Sequence, residues 1–165
     1  MNAAVPFAVH PPSAVTAPVR AGRSHAGAPL PVGPDLWMLN VPAAATGQAL
    51  SVMSWHGHAP GGPPLHLHPD QDEVFIVEAG EYRFQCDDQL FLLRAGDSLF
   101  LPRGRPHTFR QLSATGRLRF LYTPAGRMED FFAALSRLDG PPAPEQAATL
   151  FAAHGMRVVG LPLAA

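Results

Sequence analysis

Proline and glycine recur at close intervals along almost the whole chain, 19 and 15 of them in 165 residues, and that punctuation excludes most architectures at once. Proline inside a helix removes a donor and clashes with the preceding turn, and glycine weakens helix interiors. Bundles and coiled coils are therefore disfavoured, and a turn-rich β architecture is left. Between the breaks lie short apolar runs, at residues 36–39, 49–55, 74–77, 90–93, 98–101 and 118–122. Each is of strand length. Turn signals separate them: the Pro/Gly stretch 59–64, then 78–80, 86–88, 94–97 and 113–116. Strands so regularly spaced suggest a barrel or sandwich. Apolar residues at 47% and charged residues at 15% are a folding composition, and the length allows one domain of ordinary size.

The period changes after Pro124. Met128, Phe131, Phe132, Leu135 and Leu138 recur at three- and four-residue steps, which predicts a helix with one apolar stripe ending before Gly140-Pro141. Pro144 can open a second helix with Leu150 and Phe151 on its buried side and Gly155 after its end. Residues 157–160 suit a last short strand. The tail thus reads as two helices laid on a barrel as a cover.

Residues 1–34 hold no acid, carry only Arg20 and Arg23 as charges, and show no legible packed element. Pro6, Pro11, Pro12 and Pro18 interrupt the apolar run of a secretory leader and would break the amphipathic helix of a transit peptide. Residues 1–31 are expected to be a mobile extension, with the single domain at 32–163, its barrel at about 35–123 and its helical cover at about 126–155. The twelve basic residues are all arginine and balance thirteen acids to a net charge of −1, so no basic footprint for nucleic acid is present. No apolar stretch approaches the ~20 residues of a membrane helix. A soluble, cytoplasmic protein is expected. The lone Cys86 excludes an internal disulfide, and Asp87 and Asp88 beside it would raise its thiol pKa. It is given no role.

Eight histidines are the ionisable group of interest. His66 and His68, two apart on an extended segment, point the same way, with Leu65 and Leu67 opposite. Glu73 opens the next strand and shares a face with Phe75 and Val77 by the same alternation. His107 enters a strand after the Pro102-Arg103-Gly104 turn, with Phe109 and Gln111 on its side. If these faces meet in the interior, buried imidazoles and a carboxylate must be paired, bonded or bound to a cation, because leaving them unsatisfied costs several kcal/mol. A hydrogen-bonded polar cluster without metal meets the same demand.

The two stretches resemble the paired motifs of the cupin superfamily. In the first, four residues separate His68 from Glu73 and six separate Glu73 from Gly80; in the second, Gly96, Pro102, Gly104 and His107 stand at the family's intervals. Two departures are visible: the glycine before His66 is closer than the pattern asks, and Gln111 stands where asparagine is usual. The wording around His66 to Val77 is most similar to small single-domain cupins of the quercetin-dioxygenase-like kind. The resemblance implies an all-β cupin fold, a double-stranded β-helix or jelly-roll barrel with two C-terminal helices packed on it. It also implies a metal site of His66, His68, Glu73 and His107, with Glu73 additionally a candidate catalytic base. Imidazole and carboxylate suit one divalent transition metal, Fe, Mn, Ni, Co, Cu or Zn, and exclude an oxygen-only calcium cage.

Met53, Phe75, Phe109, Gln111 and Tyr122 are candidates for a substrate pocket above the metal, although core packing explains the apolar ones equally well. His56 and His58 could extend the site or be solvated strand residues. Arg103 and Arg105 could recruit anions or be solvated loop charges. Two functions stand open: a metal-dependent dioxygenase acting on a small aromatic or enolic substrate, or a non-catalytic cupin that binds a small ligand or metal as sensor or interaction module. A sugar-phosphate isomerase ranks last, because its phosphate contacts are missing from the expected inward face. A homodimer is expected from the resemblance and from an apolar sheet edge near residues 36–39.

Overall fold

The computed structural model describes residues 18–164 except 26; the expectation for the first seventeen residues of the extension lies outside them. Eleven strands form two antiparallel sheets among the described residues. The first sheet runs, in spatial order, β1 (Leu30–Val32), β2 (Asp35–Val41), β3 (Ser51–Gly57), β10 (Gly116–Thr123), β5 (Asp72–Ala79) and β8 (Ser98–Leu101). The second runs β11 (Arg157–Pro162), β4 (Pro64–Leu67), β9 (His107–Gln111), β6 (Glu81–Cys86) and β7 (Gln89–Arg94). Two helices follow β10: α1 (Met128–Leu135) and α2 (Pro144–Ala153). This is the expected all-β jelly roll with two helices toward its end.

Alternation decides what each strand buries. Glu73, Phe75 and Val77 of β5 are buried while Asp72, Val74 and Ile76 are only partly so; on β10 the buried positions are Gly116, Leu118, Phe120 and Tyr122. Antiparallel pairing sets Glu73 beside Tyr122 and Phe75 beside Phe120, which keeps each pair on one face of the sheet. The core is rich in aromatic rings. Phe75, Tyr82, Phe84 and Phe120 of the barrel continue into Phe131 and Phe132 of α1 and Phe151 of α2, and Trp37 stacks on Phe132 at 5.3 Å.

Several expectations need correction. Apolar runs predict one strand in the segment 81–95, at 90–93; it holds two, because in β6 Tyr82 and Phe84 are fully buried between partly exposed Glu81, Arg83 and Gln85. The first helix is shorter than its stripe. Beyond Leu135 the backbone N–H groups of Arg137 and Leu138 reach back three residues, to Ala134 and Leu135, so the last turn tightens and Leu138 lies in a turn. The last strand extends to Pro162 rather than Gly160. Residues 36–39 are not a sheet edge, since β1 covers β2 on one side and β3 on the other. Strand β1 lies in a stretch without a legible element, and just ahead of it buried Ser24 exchanges hydrogen bonds with the backbone of Leu39.

Candidate metal centre

Strands β4 and β5 and β9 bring His66, His68, Glu73 and His107 together from three places in the chain. His66 lies opposite His107 in the β4–β9 pairing, and His68 follows the end of β4 on the same face. All four side chains are buried, at 7, 2, 1 and 3% exposure. Each can offer one ligand atom such that the four atoms lie within 4.8 Å of one another. The ring centroids of His66 and His107 are 4.6 Å apart, and those of His68 and His107 5.4 Å apart in nearly parallel planes.

Hydrogen bonds fix which nitrogen faces inward. His66 Nδ1 is 2.8 Å from the carbonyl of Pro64, His107 Nδ1 2.9 Å from that of Arg105, and His68 Nδ1 2.8 Å from Gln71 Oε1. Those oxygens only accept, so each Nδ1 donates and each Nε2 is left with a lone pair. The lone pairs meet a carboxylate: His107 Nε2 lies 3.1 Å and His68 Nε2 3.6 Å from Glu73 Oε2. A single extra proton could serve the shorter contact. It would still leave His68 Nε2 and Glu73 Oε1, both buried and without a hydrogen-bond partner in the protein. Burial, followed by the nearby His107 and His68, holds His66 well below the usual imidazole pKa, and burial likewise lowers His68. Imidazole nitrogens converging with a carboxylate are the donor set that a divalent transition metal takes, and the buried unpartnered atoms are what such an ion would satisfy. The residues fit the group.

A cavity of about 410 Å³ opens from this centre, within the range of small-molecule pockets. His66, Glu73 and His107 form its floor. Phe75, Phe109 and Tyr122 line it, together with Trp55, Phe131 and Phe151.

Met53 does not line this cavity. It is fully buried between Leu39 and Phe120 on neighbouring strands and belongs to the core. Gln111 lines the cavity, but its amide is engaged: Oε1 accepts from Tyr82 Oη at 3.1 Å and Nε2 donates to the Ser113 carbonyl at 3.0 Å. His56 is half-buried, His58 exposed, and neither is a lining residue. Arg103 pairs with Asp72 at 2.8 Å and holds that carboxyl down to about 2; Arg105 pairs with Asp87. These pairs brace the loop that presents His107. Burial pushes the Cys86 thiol up, and Asp87 adds to it.

Sequence reasoning missed Gln71 and most of the aromatic wall. The wall had a signal, since Phe131 and Phe132 sit on the apolar stripe of α1. Gln71 had none beyond its place three residues after His68.

Residues 52–124 match the family model described as "Cupin domain". That match covers 73 of the chain's 165 residues. Beyond that match, 91 residues are 30% identical to quercetin 2,3-dioxygenase of Bacillus subtilis (strain 168), covering 55% of this chain and 27% of that enzyme. The chain therefore spans about a quarter of that relative's length. Among solved structures, KdgF from Halomonas sp. superposes with a TM-score of 0.57 at 15% identity, over 67% of this chain and 94% of that one. An RmlC-like cupin from Shewanella frigidimarina gives 0.54 at 23% identity, over 62% and 86%. Both likenesses concern the cupin fold.

Proposed function

We propose that the protein is a metal-dependent dioxygenase acting on a small aromatic or enolic substrate, with one divalent transition metal held by His66, His68, Glu73 and His107. The observation that carries the metal is the pair of buried atoms, His68 Nε2 and Glu73 Oε1, left without partners where three imidazole lone pairs converge. The aromatic cavity above them and the partial similarity to quercetin 2,3-dioxygenase support the substrate class. When bound, such an ion supplies Lewis acidity and open positions for substrate and dioxygen.

The chain's own contributions follow from geometry. Phe75, Phe109 and Phe131 offer ring faces and edges to a flat substrate and keep water from it. In this reading Glu73, whose Oε1 is unpaired, takes a hydroxyl proton from a substrate resting on the cavity floor. Tyr122, beside it on β10, is kept protonated by burial and by the Glu73 charge, so it can donate a hydrogen bond to the carboxylate or the substrate.

We further propose a cytoplasmic homodimer working on a small molecule without nucleic acid or membrane. No helix among the described residues is long and apolar enough to cross a membrane. Exposed Leu90, Leu92 and Phe100, on the outermost strands of the two sheets, support self-association; a monomer in sedimentation equilibrium would remove the dimer.

Oxygen uptake by anaerobically purified, metal-loaded protein on a panel of flavonols and small diketones tests the activity. Uptake lost in His66→Ala is the expected result. Tight binding of a panel member with no turnover under any metal would establish instead a non-catalytic binding or sensor module.

A further inference from the structure

Gln71 is buried, uncharged and not part of the cavity wall, yet both ends of its amide are fully engaged. Oε1 accepts from His68 Nδ1 at 2.8 Å, while Nε2 donates to the carbonyls of Pro124 at 2.7 Å and Ala125 at 2.8 Å. Because those carbonyls can only accept, they fix which end of the amide faces the imidazole. An oxygen facing Nδ1 in turn demands a proton there, and so a lone pair on Nε2. Close packing guards the arrangement. Gly126 has φ +57°, and a Cβ on it would fall 2.7 Å from Gln71 Nε2.

Residues 124–127 join β10 to α1, the helix whose Met128, Phe131 and Phe132 wall the cavity. The joint is held from the other side as well, by the Ala125 N–H donating to the Gln48 carbonyl at 3.0 Å. His66 and His107 are aimed by backbone carbonyls, which no side-chain substitution removes. His68 is aimed by a side chain.

We infer that Gln71 is a positioning residue: it holds His68 in the Nδ1–H form with Nε2 turned into the centre, and it ties that ring to the joint from which the helical cover hangs. The inference rests on the metal reading above. Partners of this kind, which orient a ligand without touching the ion, are worth about 10- to 100-fold in metal affinity.

Two readouts on the full chain test it: imidazole nitrogen NMR of the metal-free protein, and Co(II) affinity by competition with a chelator. In the unmodified protein His68 is expected as the Nδ1–H tautomer. Gln71→Leu removes the acceptor, so the tautomer should shift and Co(II) affinity fall by about 10- to 100-fold. Gln71→Glu keeps an oxygen toward Nδ1 but loses the donors to Pro124 and Ala125; the tautomer should hold and affinity fall by less than about 10-fold. Glu129→Ala removes a hydrogen bond to the Ala43 N–H and loosens α1 without touching His68; it should lower the melting temperature and leave both readouts in place.

An Nε2–H tautomer of His68 in the unmodified protein would overturn the inference, and this measurement stands even if Gln71→Leu does not fold. Wild-type affinity in Gln71→Leu, or equal losses in Gln71→Leu and Glu129→Ala, would overturn it too. Should the unmodified protein bind no Co(II) while its His68 tautomer shifts in Gln71→Leu, the metal reading fails and the positioning of His68 stands.

Discussion

Three carbonyl-type oxygens determine the chemistry at the centre, because each takes the proton of one Nδ1 and frees one Nε2. The four converging residues were legible in the sequence: alternation along a strand puts His66 and His68 on one face, and the motif intervals add Glu73 and His107. What alternation does not carry is depth. Met53 and Tyr122 both point inward, yet only Tyr122 reaches the cavity, since Met53 is enclosed by residues on both neighbouring strands. Gln71 was hidden for a related reason, as its role depends on the carbonyls of Pro124 and Ala125, more than fifty positions away.

The lowered pKa values of His66 and His68 make a pH prediction for the metal-free protein. Both are neutral in the folded state at a pH where the unfolded chain, titrating near 6.5, already takes up protons. Stability is therefore fully present above about pH 6.5 and is lost as pH falls toward the depressed folded values, by up to about 1.4 kcal/mol per pH unit for each histidine. Thermal melts from about pH 7.5 down to about pH 5 should show a falling midpoint that flattens in a His66→Phe/His68→Phe double variant. A midpoint constant through that window would contradict the neutral, buried assignment.

At the scale of elements, the strands were legible wherever an apolar run carried them, and less so where only alternation did. Strand β6 shows this: Tyr82 and Phe84 are as buried as any residue in the core, but Glu81, Arg83 and Gln85 between them break up any run. The end of α1 was illegible for another reason. Its stripe continues to Leu138, but three-residue backbone bonds close the helix at Leu135.

The loop 59–64 depends on a glycine in a way its composition does not reveal. Gly62 passes so near β9 that a Cβ would meet the Phe109 carbonyl oxygen at 1.8 Å. Neighbouring Gly61 exchanges two backbone hydrogen bonds with Gln111, so the loop is stitched to β9 beside the cavity. Gly62→Ala must force the two backbones apart, at a cost of about 1–3 kcal/mol. The expected outcome is a lower melting temperature and faster amide exchange at Gly61 and Gln111; unchanged exchange there would show that the loop does not rely on this approach.

Considered as a whole, the molecule puts a small polar centre at the bottom of an aromatic cavity, with two sheets around it and two helices closing one side. A β barrel or sandwich followed from proline and glycine spacing together with strand-length runs, and the jelly roll from the motif resemblance. The cavity did not, because its walls come from strands of both sheets, from α1 and α2, and from the loop 59–64, and only assembly reveals that their inner faces meet. The same is true of the tie between Arg103 and Asp72, which fixes the loop before His107 to the residue preceding Glu73.

One measurement bears most directly on the centre: anomalous diffraction from crystals of the full chain grown with Co(II) or Zn(II). The expected result is a single strong peak about 2.1 Å from the Nε2 atoms of His66, His68 and His107 and from a Glu73 carboxylate oxygen. A density map with no peak among those four groups, or with the ion held by other residues, would contradict it.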